Sequence, residues 1–159
     1  EVSFKNPKNT LTIGDDVYKL QQFHFHAPSE NEIDGHTYPL EGHFVYKTDN
    51  GKITVISVLY NYGDENQALK QIWDKMPQAA NTETELPQTI SLDDFYPEDK
   101  DYYNFEGSLT TPPCTEGVNW IVFKNQETVS KEQVEKFTQT LGFENNRPIQ
   151  DTNGRKIKE

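Results

Sequence analysis

From residue 22 to residue 26 the chain reads Gln22, Phe23, His24, Phe25, His26. Strict alternation of polar and aromatic side chains is a strand pattern, because successive side chains leave opposite faces of an extended backbone. Gln22, His24 and His26 therefore share one face, and Phe23 and Phe25 the other. A second segment, Glu41, Gly42, His43, Phe44, Val45, repeats the pattern, so that Glu41, His43 and Val45 share a face. Few folds other than a sheet with one apolar face and one built face can use two such segments.

The remaining chain supports a sheet. Short strands are expected at 2–4 and 10–13, separated by the turn-prone Asn6, Pro7, Lys8 and Asn9. A longer strand is expected over 17–26, ended by Pro28 and the polar stretch to Gly35. The next covers 37–47, and Asp49, Asn50 and Gly51 form a hairpin turn. Residues 53–60 are a β-branched apolar run suited to burial on both faces, and 118–123 reads as a further strand. Two helices interrupt this pattern. Asp64 is the expected cap of 65–76, where Ala68, Leu69, Ile72, Trp73 and Met76 fall on one face. Ser130 and Gln133 make a capping box for the second helix. Val134, Phe137 and Leu141 line its inner face, and Gly142 is its C-terminal cap. Residues 79–101 read as an acidic, proline-containing loop. One mostly β (α+β) domain with two peripheral helices follows.

Composition narrows the function classes. Nine Phe, eight Tyr and two Trp in 159 residues argue against disorder. The formal net charge of −11 disfavours nucleic acid and anionic membrane as partners. No apolar run approaches the roughly 18 residues of a membrane span. The chain opens on Glu1 without a visible signal peptide, consistent with a processed or truncated N-terminus. The single cysteine, Cys114, is open to three readings: a buried apolar residue, a nucleophile, or half of a disulfide.

If the two histidine strands pair as a hairpin, one face presents three imidazoles to one point. Three neutral nitrogens and an open fourth position are what a catalytic zinc ion needs. Gln22 and Glu41 each precede a histidine by two residues on its own face. A metal-bound imidazole usually gives its second N–H to such an acceptor. His-x-His alone is weak, since histidines on strands are often core or surface residues, and geometry by itself leaves the zinc and structural readings both open. His36, in an expected loop after Gly35, reads as a solvated residue.

Five motifs carry a resemblance to the α-type carbonic anhydrases in their bacterial form. Gln22-Phe-His24-Phe-His26-Ala-Pro-Ser-Glu30 resembles the first zinc-ligand strand, and Glu41-Gly-His43-Phe-Val45 the strand with the third ligand. Gly107-Ser-Leu109-Thr110-Thr111-Pro-Pro-Cys114 resembles the substrate loop, Val118-Asn-Trp120 the strand after it, and Asn145-Asn-Arg147-Pro the C-terminal signature. The resemblance implies a large twisted, mainly antiparallel sheet with peripheral helices. It implies zinc-hydroxide-catalysed, reversible hydration of carbon dioxide to bicarbonate and a proton.

Residue roles follow from the resemblance one by one. His24, His26 and His43 are the implied zinc ligands. Gln22 and Glu41 are implied acceptors for His24 and His43, and a backbone carbonyl near Asn145 orients His26. The Thr110 hydroxyl accepts from the zinc-bound hydroxide and donates to Glu30. Thr111 is an implied substrate-side hydrogen-bonding residue. Val45, Val55, Leu109, Val118 and Trp120 form the implied apolar wall for carbon dioxide. The partner is a small molecule, and a homodimer is left open. The family's N-terminal segment, which normally carries a shuttle histidine, has no counterpart in this numbering, and His36 does not match that position. In bacterial relatives the cysteine matching Cys114 pairs with one in that segment, which implies a free Cys114 here and a periplasmic or secreted home. Two other readings remain: a silent relative acting as a binding module, which typically lacks a zinc histidine, and an inert acidic domain, which leaves the histidine spacing unexplained.

Overall fold

The fold was obtained as a computed structural model, which describes residues 1–4, 8–86 and 90–159. In chain order the strands and helices are β1 (Val2–Ser3), β2 (Thr10–Ile13), β3 (Asp16–His26), β4 (Glu32–Ile33), β5 (His36–Thr37), β6 (Leu40–Lys47), β7 (Ile53–Tyr62), α1 (Gln67–Trp73), β8 (Tyr102–Ser108), β9 (Glu116–Phe123), β10 (Glu127–Val129) and α2 (Lys131–Leu141). Among the described residues, eight strands form one sheet ordered β1-β3-β6-β7-β9-β8, with β2 also on β3 and β10 on β7. Its pairs are antiparallel except β7 with β9 and β10 with β7, which are parallel. The sheet is thus mixed, with the expected antiparallel majority. No helix of the described residues is long and apolar enough to cross a membrane.

The apolar residues divide between the two sheet faces. Along β7, Ile56, Val58 and Tyr60 join one cluster, while Val55 and Leu59 join the other. That alternation is why the expected 53–60 run has no polar face. The larger cluster holds Phe23, Phe25, Phe44, Phe95 and both helices' inner residues. Phe23 packs on Phe44 and Phe95 with ring centroids 5.1 and 5.3 Å apart. Each such ring, fully buried, contributes about 1.5–3 kcal/mol.

A register shift in the pairing of β3 with β6, between Leu20 and Gln22, fixes which face the histidines take. Before it, Tyr18 and Leu20 face the larger cluster; after it, Phe23 and Phe25 do. A β-bulge adds one residue and so reverses the parity of everything beyond it. Gln22, His24 and His26 consequently face away from the aromatic core, as their alternation with Phe23 and Phe25 requires.

Several expected elements differ in detail. The strand expected over 37–47 is broken at Tyr38 and Pro39, because proline has no N–H for the ladder. Its start becomes β5, half of a small separate hairpin with β4 that places His36 on a strand rather than in a loop. α1 is capped by Asn66, not Asp64: the Asn66 side chain accepts from the Leu69 N–H at 3.0 Å. Gln133 explains the choice. Its amide exchanges two 2.8 Å hydrogen bonds with the Asn66 backbone and also completes the capping box of α2. The segment read as loop over 79–101 contains a 3-10 turn, Leu92–Phe95, which delivers the fully buried Phe95 to the core. β4, β8 and β10 were not expected. Asn6 and Pro7 of the expected turn, and residues 87–89, lie outside the described residues.

Candidate metal centre

His24 and His43 stand directly opposite each other on β3 and β6, and His26 lies one step along the same face. Ring centroids are 4.9 Å apart for His24 and His26, 5.4 Å for His24 and His43, and 4.7 Å for His26 and His43. One nitrogen from each of the three lies within 4.8 Å of the others. The strands therefore bring together the three histidines that the alternation singled out. His36 is elsewhere, exposed on β5 with its ring edge against Tyr38.

Two of the rings are held by an acceptor on the far side, and the third lies close to one. His24 Nδ1 is 2.7 Å from Gln22 Oε1, and His26 Nδ1 is 2.8 Å from the backbone carbonyl of Asn145. These contacts fix the tautomer, leaving Nε2 of both rings toward the shared point. Asn145 also uses its side chain. Its Oδ1 accepts from the Ala27 N–H at 3.0 Å, and its Nδ2 donates to the Phe25 carbonyl at 2.8 Å. The C-terminal segment is thereby clamped across the end of β3. His43 Nε2 lies 2.9 Å from Glu41 Oε1, but its N–H points off that line and the nitrogen is left without an aligned partner. His43 Nδ1 faces the shared point.

Glu41 is fully buried. Its Oε2 accepts from the backbone N–H groups of Glu30 and Asn31 at 2.6 and 2.9 Å. Its Oε1 accepts from Asn31 Nδ2 at 2.6 Å and from Ser57 Oγ at 2.5 Å. Burial pushes this carboxyl's pKa up, but the charge of the adjacent His43, with the hydrogen bonds from Ser57 and Asn31, more than offsets it and holds it at about 2. His24 is driven down to about 3 by burial first, then by its neighbours His43 and His26. Burial, then His43, lowers His26 as well. His24 and His26 are thus neutral at pH 7, the protonation state of metal ligands.

The donor set fits a zinc ion. His26 Nε2 is buried without a hydrogen-bond partner, and so is Glu30 Oε1. These two atoms are 3.2 Å apart, and Glu30 Oε1 is 3.8 Å from His43 Nδ1. Unpaired buried polar atoms are uncommon and need an explanation. Three imidazole nitrogens converging on one point, two of their rings braced from behind, supply one.

The remaining residues named from the sequence divide into two groups. Val55, Val118 and Trp120 belong to the second apolar cluster, with Val45 and Leu109 packed against it. Trp120 stands edge-on to His43 at 4.9 Å, so this apolar surface adjoins the imidazoles. Thr110 is half-buried and Thr111 exposed in the loop between β8 and β9. The hydrogen bond expected between Thr110 and Glu30 is not among those the described residues form. Glu30 is drawn elsewhere: its Oε2 accepts from the Arg147 N–H and its Oε1 turns toward the imidazoles. Cys114, half-buried, is free. Sequence reasoning missed Asn31, Ser57 and the Arg147 N–H as carboxylate partners. Ser57 carried a signal, being a small polar residue inside an otherwise largely apolar buried strand.

A mixed sheet carrying a braced three-histidine centre beside an apolar wall defines a class of zinc-site proteins. The sequence model of the eukaryotic-type carbonic anhydrases matches residues 1–159, and the chain belongs to that family. It is 46% identical over 159 residues to a carbonic anhydrase of Neisseria gonorrhoeae, covering 100% of this chain and 63% of that protein. It is 45% identical over 152 residues to a carbonic anhydrase of Pectobacterium carotovorum, covering 96% and 62%. The α-carbonic anhydrase of Thermovibrio ammonificans, solved with the inhibitor sulfanilamide, superposes with a TM-score of 0.92 at 46% identity, over 95% of this chain and 67% of that one. The chain thus spans just over three fifths of the length of these curated relatives.

Proposed function

We propose that this chain carries the centre of a zinc lyase that reversibly hydrates carbon dioxide to bicarbonate and a proton. The observation that carries the reading is the convergence of His24, His26 and His43, each with one free nitrogen, beside the apolar cluster of Val55, Val118 and Trp120. Zinc, when held by the three rings, supplies a Lewis acid that makes a hydroxide-strength nucleophile available near pH 7.

The chain's own residues do the rest. Gln22 Oε1 and the Asn145 carbonyl hold two rings in the ligating tautomer. Glu41 braces the third. Val45, Val55, Leu109, Val118 and Trp120 exclude water and offer a surface suited to an apolar, linear substrate. Glu30 Oε1 is a buried acceptor at the site, and Thr110 heads the adjoining loop. In the proposed role, the Thr110 hydroxyl donates to Glu30 and accepts from the reacting oxygen, so that only a protonated oxygen fits. Thr111 offers a substrate-side hydrogen bond. The likeness of the Pro-Pro-Cys114 motif to disulfide-bearing relatives supports a periplasmic or secreted home, which an export signal in the full-length precursor would bear out.

Zinc content and carbon dioxide hydration, measured on the same sample, test the reading. One zinc per chain and activity that disappears on chelation are expected. His43→Ala should lose both, and unchanged zinc affinity in that variant rejects the assignment.

A further inference from the structure

The Glu41 carboxylate has more donors than it can serve. A carboxylate offers about four lone-pair sites, two on each oxygen. Oε2 is filled by the N–H groups of Glu30 and Asn31. Oε1 has three candidates: Asn31 Nδ2 at 2.6 Å, Ser57 Oγ at 2.5 Å and His43 Nε2 at 2.9 Å. The first two form aligned hydrogen bonds, while the His43 N–H is left pointing off the line. Gln22 and the Asn145 carbonyl, which serve the other two rings, meet those rings in aligned hydrogen bonds. Ser57 sits opposite His43 in the β6–β7 register, is fully buried, and has no other side-chain hydrogen bond among the described residues.

We propose that Ser57 is a positioning residue: by holding one lone pair of Glu41 Oε1, its hydroxyl limits how strongly that carboxylate engages the His43 ring. The inference rests on the reading of His43 as a metal ligand. A ring that donates fully to a carboxylate gains basicity and becomes a stronger ligand. Ser57 therefore weakens His43 deliberately, favouring a more electrophilic metal over the tightest grip on it. Asn31 Nδ2 cannot play this part separately, because its own N–H is also bound to Glu41 and the two move together.

The test is nuclear magnetic resonance of the imidazole N–H protons. Removing the hydroxyl in Ser57→Ala frees a lone pair, so the His43 Nε2 proton should move downfield as its hydrogen bond strengthens. Ser57→Cys, which keeps most of the volume but only a weak donor, should move it the same way. Ser57→Thr, which retains the hydroxyl, should leave it near the wild-type position. Zinc should also leave Ser57→Ala several-fold more slowly than it leaves wild type. A resonance that stays in place in the Ala and Cys variants, an equal shift in Ser57→Thr, or zinc release that is unchanged or faster, overturns the proposal. Titrating zinc into the wild type separates this from the underlying reading. If zinc perturbs none of the three rings, the metal assignment fails, whatever the Ser57 variants do to the hydrogen bond.

Discussion

Thr110 and the buried ionisable groups carry the predictions at the scale of single residues. In the proposed reaction Thr110 orients a proton without holding the metal. Thr110→Ala should then lower hydration on the order of 10²-fold, a typical cost for one oriented hydrogen bond at a reacting centre, with zinc content unchanged. A full rate, measured where chemistry limits, removes Thr110 from the reaction. The depressed titrations of His24 and Glu41 make a separate prediction for the zinc-free protein. His24 falls from an ordinary 6.5 to about 3 on folding. Between those values the unfolded chain binds the proton and the folded one resists it, so stability falls as pH drops below 6.5. Glu41 falls from 4.5 to about 2, so its contribution, complete above 4.5, is lost as pH falls through that window. Both act in one direction. Urea unfolding of chelator-treated protein should show a lower midpoint at pH 5 than at pH 7.5, and an equal midpoint would show that His24 is not shielded.

Among the elements, β9 lies between β7 and β8 and brings Trp120 against His43. Across the β8–β9 pair, Gly107 leaves no room for a side chain. A Cβ there would come within 2.9 Å of Trp120 Cδ1 and 3.1 Å of its Nε1. Gly107→Ala should therefore cost about 1–3 kcal/mol, the usual penalty of overpacking, and push the indole toward the imidazoles. A melting temperature equal to wild type would mean that Trp120 can retreat elsewhere. This close approach was invisible in the sequence, where Gly107 is simply one of nine glycines. The histidine strands were legible because alternation of aromatic and polar residues states the face directly. The capping box of α2 was legible because Ser130 and Gln133 act over three residues. β8 was not: as an outer strand with few buried positions it has no strong period, and its free edge is met by Lys158, 54 residues beyond Asn104 (158 − 104), in an isolated bridge. Asn66 displaced Asp64 as a helix cap through Gln133, 67 residues away. Local patterns were readable; choices settled by distant partners were not.

At the scale of the whole molecule, three of the four histidines converge at one point and the fourth sits on the β4–β5 hairpin. Among the described residues, then, no spare imidazole titrating near neutrality joins the three to carry a proton to solvent. If no further imidazole joins the three in the working protein, turnover in the proposed reaction should rise with added imidazole buffer at fixed pH and ionic strength. Fast turnover indifferent to buffer would mean that another group moves the proton. The same long-range construction orders events in time. His26 is oriented by Asn145, which lies 119 residues further along. At about 5–20 residues per second of synthesis, roughly 6–24 s separate the appearance of that ring from the appearance of the group that aims it. A nascent chain thus exposes all three imidazoles well before it can hold them in their converged geometry. Metal taken up in that interval would meet unbraced rings, weakly selective among first-row ions. Selectivity for the proper ion should accordingly be acquired only when the segment bearing Asn145 closes over the end of β3.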